Sequence, residues 1–310
     1  MKILHLSPEF NLQTAINSSD ADIIYLEKGV YEQKVEILRD NIKIIGEGEQ
    51  TRITFSDYAK KIHADGQEYN TFRTYTMCIT GNNVRLENFT VENSNTSPEK
   101  VGQCVALSVH GNDFSAVNMN LVSTQDTLYL SPFPDDLVVR YRGFIPHRQL
   151  YREGHNLHLF KNCKISGTVD FIFGCSEAYF KDCEIISLND ARGHGFAAAP
   201  AHPLAEGRGF SFIDCDFKCG GAQPQTVYLA RPWRDFGKCS FINCRLGSHI
   251  NGELFDKWND TDRDKSARFA YFGLDCKHKL NPVPWSNALT GEQADDIINE
   301  CIKKFKSLNI

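Results

Sequence analysis

Four short segments of the sequence place polar or charged residues inside apolar, strand-like runs. They are residues 103–107 (QCVAL), 125–129 (QDTLY), 169–174 (VDFIFG) and 229–233 (LARPW). Together they supply two carboxylates, two carboxamides and one guanidinium. A carboxylate becomes an effective nucleophile when a neighbouring cation keeps it charged, and a carboxyl with a raised pKa can donate a proton at neutral pH. Because preorganised amide donors stabilise an oxyanion by about 3 kcal/mol each, this set of residue types can cleave an ester without a serine or cysteine nucleophile.

A recurring sequence unit indicates the scaffold that would position these segments. The clearest copies are FKNCKI (160–165), FKDCEI (180–185), FIDCDF (212–217) and FINCRL (241–246), with weaker copies LENFTV (86–91) and AVNMNL (116–121). Successive copies lie 20 to 44 residues apart. Self-similarity over 20–50 residues is the signature of a repeat architecture.

Each unit is interpreted as a strand, a corner at the Asn or Asp, and a second strand. Side chains alternate between the two faces of a strand, so Phe160 and Cys163 cannot both point inward from one regular strand. A tight turn at Asn162 would bring Phe160, Cys163 and Ile165 to the same side. Asn and Asp tolerate the left-handed conformation of such a turn. Stacked corners of this kind predict an all-β fold, a right-handed parallel β-helix.

We predict a single domain over residues 1–310, with a short helical cap at each end. Residues 12–16 are apolar-periodic. Residues 290–306 form the predicted C-terminal helix, which begins with a capping box from Thr290 to Gln293. The 44-residue step between the units at Met119 and Cys163 indicates an inserted loop over residues 131–156.

The four polar segments, in this order, resemble the signature of the pectin methylesterases, a family of parallel β-helix carbohydrate esterases. Residues 29–33 (GVYEQ) resemble the family's N-terminal Gly-x-Tyr-x-Glu element, and residues 268–272 (RFAYF) resemble its last coil. The sequence departs from the family pattern at Gln33, where Glu is preferred, and at Ala230, where Gly is preferred. Neither residue belongs to the predicted site.

The resemblance implies hydrolysis of galacturonate methyl esters, in pectin or its oligomers, with release of methanol and without a metal or other cofactor. Asp170 would be the nucleophile, and Asp126 would protonate the departing methanol and then activate water. Gln103 and Gln125 would hydrogen-bond the oxyanion, and Arg231 would hold Asp170 ionised. The residues expected to contact the sugar are Tyr129, Val169, Phe173 and Trp233.

Two aspects of this site depend on the backbone path. Gln125 and Asp126 are adjacent, and Asp170 and Phe173 are three apart, so bends or bulges are needed for each pair to share a face. The insertion leaves the chain after Asp126 and returns before Asp170, so we expect it to form a lid or wall over the groove. Some of its arginines would grip free galacturonate carboxylates; its charged and titratable candidates are Arg140, Arg142, Arg148, Arg152, His147 and His155.

Composition and cysteine usage narrow the possible partners and compartments. The net charge is −5, from 34 Lys and Arg against 39 Asp and Glu, and without a basic tail nucleic acid is not an expected partner. No apolar stretch is long enough to span a bilayer. The eleven cysteines include no C-x-x-C pair, and no signal peptide is recognisable. We therefore expect reduced, core-packed thiols in a cytoplasmic protein.

Two other functions remain open from the residues alone. One is a different enzyme acting on the same polymer, a lyase or a glycosidase, the latter needing a carboxylate pair across a glycosidic bond. The other is a non-catalytic carbohydrate-binding β-helix, in which Asp126 and Asp170 would be turn residues. Methanol release with unchanged chain length would favour the esterase over the lyase and the glycosidase.

Overall fold

The computed structural model describes residues 2–151, 154, 156–205 and 207–310. In this part of the chain, the backbone winds into a parallel β-helix whose strands form three parallel sheets of eleven, nine and seven strands. One coil visits all three sheets in turn, as in the successive strands Leu157–Lys161, Lys164–Gly167 and Val169–Gly174. The architecture is the all-β solenoid that the repeated unit predicts.

The bounds of the strands follow the order of the coils. The eleven-stranded sheet contains Ile3–Leu6, Ile23–Leu26, Ile42–Gly46, Val84–Glu87, Phe114–Val117, Leu157–Lys161, Glu177–Lys181, Phe210–Ile213, Lys238–Ile242, Arg268–Phe272 and Asn287–Ala288. The nine-stranded sheet contains Gly29–Glu32, Thr51–Phe55, Thr90–Asn93, Asn120–Val122, Lys164–Gly167, Glu184–Leu188, Asp216–Gly220, Arg245–Leu246 and Asp275–Cys276. The seven-stranded sheet contains Val35–Ile37, Met77–Ile79, Leu107–Val109, Leu128–Leu130, Val169–Gly174, Gly195–Pro200 and Val227–Ala230.

Helices are few and lie outside the coils. The described α-helices are α1 (Leu12–Ser18), α2 (Pro98–Val101), α3 (Asp135–Arg140), α4 (His147–Leu150) and α5 (Gly291–Ser307), with 3₁₀ turns at Thr71–Arg73 and Arg263–Lys265. Among the described residues, none of these helices has the length and apolar character needed to cross a membrane.

The predicted corners are confirmed by the backbone. All six Asn or Asp residues of the repeated unit have φ between 52° and 59°; they are Asn88, Asn118, Asn162, Asp182, Asp214 and Asn243. Phe160, Cys163 and Ile165 are all fully buried in the interior, as a change of direction at Asn162 requires. The left-handed corner therefore allows each unit to bury three apolar side chains.

Equivalent side chains stack from coil to coil in the interior. The rings of Phe160, Phe180, Phe212 and Phe241 form one column, with successive centroids 4.8, 4.6 and 4.8 Å apart and nearly parallel planes. This spacing is close to the distance of about 4.8 Å between hydrogen-bonded strands. The four corner cysteines are buried beside this column, and all eleven cysteines are free thiols.

The terminal helices have different positions. Helix α1 inserts Leu12 and Ile16 into the interior core, as expected for a cap. Helix α5 has the predicted capping box, with Thr290 and Gln293 exchanging side-chain and backbone hydrogen bonds. Its predicted position at the end of the solenoid is wrong. Ala294, Ile297, Cys301 and Phe305 pack against outward-facing Leu159, Tyr179, Ile213 and Ile242 of the eleven-stranded sheet, because these side chains would otherwise form an exposed apolar patch.

Candidate active site

The predicted site residues meet on the outer face of the seven-stranded sheet. A cavity of about 370 Å³ opens there. The five residues proposed for the chemistry all line it: Gln103, Gln125, Asp126, Asp170 and Arg231. They come from four different coils of the solenoid, so the stacking of coils brings them together.

Backbone irregularities aim the two carboxylates into this cavity. Asp126 has φ 65° and Asp170 has φ 50°. The pairing of strand Val169–Gly174 with Gly195–Pro200 shifts register between Val169 and Ile172. As a result Phe171 is buried in the interior, while Asp170 and Phe173 both line the cavity. The bulge and the left-handed residues supply the bends that the sequence spacing requires.

Arg231 holds the carboxylate of Asp170 from one side. Its Nε and Nη2 donate to Oδ1 and Oδ2 of Asp170 at 2.8 and 2.6 Å. The guanidinium is sandwiched between Phe196 and Trp258, with ring centroids 3.8 and 3.9 Å from its central carbon. A paired, stacked arginine has little freedom to move, so the orientation of the Asp170 carboxylate is fixed.

The environments of the two carboxyls differ in a way that separates their roles. Asp126 is 8% exposed and Asp170 7% exposed. Burial, and next the charge of Asp170, raises the pKa of Asp126 well above its ordinary value. Burial also raises the pKa of Asp170, but the hydrogen bonds and charge of Arg231 oppose that rise. The guanidinium therefore favours the ionised form of Asp170, whereas burial and the charge of Asp170 favour the protonated form of Asp126.

A second arginine reaches the site without having been predicted. Arg192 donates from Nη1 to Oε1 of Gln125 at 3.1 Å and pairs with Asp190 through Nε and Nη2 at 2.7 Å each. It lies in a loop before strand Gly195–Pro200, and nothing in its local sequence distinguishes it. Phe196 and Trp258 were missed for the same reason, because only the tertiary structure places them against Arg231.

The predicted sugar-contacting residues divide into two pairs. Phe173 and Trp233 line the cavity, with their rings 5.6 Å apart and nearly perpendicular. Tyr129 and Val169 do not line it, which corrects the expectation of direct contact. Tyr129 is fully buried beneath the insertion. Its ring centroid lies 5.1 Å from that of Phe173 and 4.9 Å from that of Phe72. The carbonyl of Val169 accepts a hydrogen bond from the backbone of Asp126 at 3.1 Å.

The insertion of residues 131–156 forms one side of the cavity through Leu137, Arg140 and Tyr141. A bidentate salt bridge between Asp136 and Arg234 joins it to the coil that carries Arg231. Nε and Nη2 of Arg234 donate to Oδ1 and Oδ2 of Asp136 at 3.0 and 2.7 Å. A cluster of buried apolar residues on this face of the sheet includes Phe133, Leu137, Tyr141, Ile145 and Leu150.

Three other charged or titratable candidates of the insertion are described by the structure, and none of them lines the cavity. Arg142 and Arg148 do not line the cavity, and His147 stacks on Tyr151 with ring centroids 4.6 Å apart. Arg152 and His155 lie outside the described residues.

Comparisons with known proteins converge on one family. The sequence matches the Pectinesterase family over residues 11–133 and 135–279. It is 28% identical over 279 residues to pectinesterase QRT1 of Arabidopsis thaliana, covering 87% of this chain and 66% of that protein. It is 30% identical over 289 residues to a pectinesterase of Petunia integrifolia, covering 88% of this chain and 69% of that protein.

Solved structures show the same fold. A pectin methylesterase PemA from Erwinia chrysanthemi has a TM-score of 0.77 at 22% identity, over 95% of this chain and 94% of that one. The carrot pectin methylesterase has a TM-score of 0.77 at 20% identity, over 93% and 88%. A pectin methylesterase in complex with a hexasaccharide has a TM-score of 0.76 at 23% identity, over 92% and 90%.

Proposed function

The chain belongs to the pectinesterase family of carboxylic ester hydrolases, and from that premise we propose that its cavity hydrolyses galacturonate methyl esters with Asp170 as the nucleophile. The observation that carries this assignment is the bidentate contact of Arg231 with Asp170, made in the same cavity as a second buried carboxyl, Asp126, whose pKa is raised. A retaining glycosidase also uses one ionised and one protonated carboxyl, but it forms no tetrahedral oxyanion. It therefore has no use for the amide donors Gln103 and Gln125 that line the same cavity.

In the first half of the reaction, an oxygen of Asp170 attacks the ester carbonyl carbon. The carbonyl oxygen becomes an oxyanion, which accepts hydrogen bonds from the amide groups of Gln103 and Gln125 in this proposal; both residues line the cavity. The intermediate collapses when the bond to the methoxy group breaks, and Asp126 gives its proton to the departing oxygen. Methanol leaves, and the galacturonate acyl group remains joined to Asp170 as an anhydride.

In the second half, Asp126 is ionised and can act as a base. It takes a proton from a water molecule, whose oxygen attacks the acyl carbon. The bond to Asp170 breaks, and the product leaves as galacturonic acid, which then gives its proton to the solvent. Asp170 returns to its ionised form, paired with Arg231, and Asp126 is again protonated. The pair thus alternates between acid and base without gaining or losing a proton overall.

Substitution of the nucleophile tests this assignment. Asp170→Asn keeps the size of the side chain but removes the attacking charge, so we expect methanol release from methyl-esterified oligogalacturonide to fall at least about 10³-fold. Asp216→Asn is the matched control, because Asp216 also pairs with an arginine, Arg245, but does not line the cavity. Wild-type turnover in Asp170→Asn would refute the assignment. New reducing or unsaturated ends without methanol would instead indicate a glycosidase or a lyase.

We further propose that Arg140 of the insertion recognises a free galacturonate carboxylate beside the reacting ester. Arg140 is exposed, and it is one of the residues of the insertion that line the cavity. We expect Arg140→Ala to raise KM about 3- to 10-fold for partly de-esterified substrate. KM for fully methylated substrate should not change. An equal effect on both substrates would contradict a role in carboxylate recognition.

We also propose a reducing, cytoplasmic location and a preference for short methylated oligomers over cell-wall polymer. This is supported by the free thiols, including Cys163, Cys183, Cys215 and Cys244 stacked in successive coils. Fractionation of the producing cells, with turnover compared on trigalacturonate esters and long pectin, tests both parts. Recovery of the protein outside the cytoplasm, or faster turnover on polymer, would contradict the corresponding part.

A further inference from the structure

Arg192 determines which way the amide of Gln125 points. An arginine side chain carries only hydrogen-bond donors, so the Gln125 atom that faces it at 3.1 Å is the carbonyl oxygen Oε1. The Nε2 group of Gln125 is therefore turned away from Arg192.

Arg192 is itself held in one position. Its Nε and Nη2 donate to the two oxygens of Asp190 at 2.7 Å each, and its backbone N–H donates to Oδ1 of Asp190 at 2.9 Å. The Asp190 side chain is only 2% exposed, whereas that of Arg192 is 36% exposed. The remaining guanidinium nitrogen, Nη1, is thereby directed at Gln125.

The orientation of an amide matters because a half-turn exchanges a donor for an acceptor. With Oε1 turned toward the reacting carbonyl, Gln125 would repel the oxyanion that it is meant to stabilise. We propose that Arg192 is a positioning residue that keeps the N–H groups of Gln125 toward the reacting ester. This inference rests on the proposed function, since it assigns Arg192 a part in forming the oxyanion site of that reaction.

A double-mutant cycle on methanol release tests the role. We expect Arg192→Met to lower kcat at least about tenfold, because a misoriented donor loses part of the roughly 10²- to 10³-fold effect of a whole oxyanion contact. KM should change less than about threefold, since the lost interaction forms only in the transition state. In a Gln125→Ala background, Arg192→Met should have little further effect. Arg245→Met is the control, because Arg245 is held by two bonds to Asp216 outside the cavity.

The outcomes separate this role from the proposed function. Wild-type kcat in Arg192→Met, or an undiminished effect of Arg192→Met in the Gln125→Ala background, overturns the positioning role alone. A wild-type protein that releases no methanol overturns the proposed function and this role together. Should Arg192→Met fail to fold because Asp190 is left buried without its cation, the Asp190→Asn/Arg192→Met variant removes that charge. The same comparison then applies, with thermal unfolding as the check on folding.

Discussion

At the scale of single residues, the site depends on two neighbouring carboxyls that the protein treats differently. Both are buried, but only Asp170 has a guanidinium bonded to its two oxygens. Asp126 has no such partner among the contacts described, and it faces the charge of Asp170. Two like charges close together in a poorly solvated cavity cannot both be ionised at low cost. These environments favour a proton on Asp126, the residue that we propose protonates the departing methanol.

Replacing the acid should separate catalysis from stability. We expect Asp126→Asn to reduce methanol release about 10²- to 10⁴-fold, the usual contribution of a general acid. The unfolding temperature should be unchanged or higher, because Asn is neutral and about the same size as the protonated carboxyl it replaces. Assays of methanol release and thermal denaturation on one preparation check both parts. An active Asp126→Asn variant would show that another group supplies the proton.

The pH dependence of turnover follows from the same pair. Activity requires Asp170 ionised and Asp126 protonated, so kcat/KM should rise and then fall with increasing pH. The acidic limb reports protonation of Asp170, and the alkaline limb reports loss of the proton from Asp126. In Arg231→Lys the lost two-bond contact leaves Asp170 easier to protonate, so the acidic limb should move upward by up to about one pH unit. If the acidic limb did not move, it would report the ionisation of a group other than Asp170.

At the scale of elements, the left-handed corner and the bulged strand both use a residue with positive φ to redirect the chain. At Asn162 a φ of 53° turns the chain from one sheet to the next without losing an inward-facing side chain. At Asp170 a φ of 50°, together with the register shift, brings a carboxylate to the outer face beside Phe173. The same backbone conformation therefore builds the core at one position and the site at another.

The corner predicts a conformational cost that can be measured. Asn162→Ala should lower the free energy of unfolding by about 1–2 kcal/mol, because alanine adopts the left-handed region only with strain. Asn162→Gly should cost less, since glycine adopts it freely. Lys161→Ala, one position earlier in the strand, is the control. Urea denaturation of the three variants tests this expectation. Equal denaturation midpoints for the Ala and Gly variants at position 162 would exclude backbone strain as the cause of the lost stability.

At the scale of the whole molecule, the solenoid is held together by contacts that link successive coils. One of them is His202, which is fully buried, donates from Nε2 to the carbonyl of Ser176 at 2.8 Å and accepts at Nδ1 from the backbone of Lys238 at 3.3 Å. Helix α5 adds a second link, because it packs across four strands of the eleven-stranded sheet. Stability therefore depends on contacts distant from the cavity.

The burial of His202 leads us to expect that the free energy of unfolding depends on pH. Burial lowers the pKa of His202 to about 3, below the value of about 6.5 for an unfolded histidine. The stability gained from keeping it neutral is present above pH 6.5 and is lost as the pH falls toward 3. Between pH 7 and pH 5 this residue alone should reduce the free energy of unfolding by about 2 kcal/mol.

A comparison of variants isolates that contribution. Urea denaturation at pH 7 and pH 5 measures the free energy of unfolding. Its decrease from pH 7 to pH 5 should be smaller for His202→Gln than for the wild type, when each protein is compared with its own value at pH 7. The exposed His5 provides the control, and His5→Gln should keep the wild-type decrease. A His202→Gln variant with the full wild-type decrease would show that other groups cause the pH dependence.

The sequence by itself determined the repeated unit, its Asn or Asp corners and the five polar residues of the site. These features can be predicted from the sequence because each depends on local chemistry. Few residue types tolerate a left-handed backbone, and polar side chains are unusual in an apolar strand. The ends of helix α5 were predictable for the same reason, since a capping box is formed within one turn of the chain.

Only the tertiary structure decided which distant residues meet. Arg192 and Phe196 reach the site from the coil of strand Gly195–Pro200 and Trp258 from a later coil, and no spacing in the sequence relates them to Gln125 or Arg231. The burial of Tyr129 and the lateral position of helix α5 likewise depend on which outer faces need apolar cover. Local sequence sets the conformation of each turn, but contacts between coils depend on how far each loop advances the chain and on what packs over it.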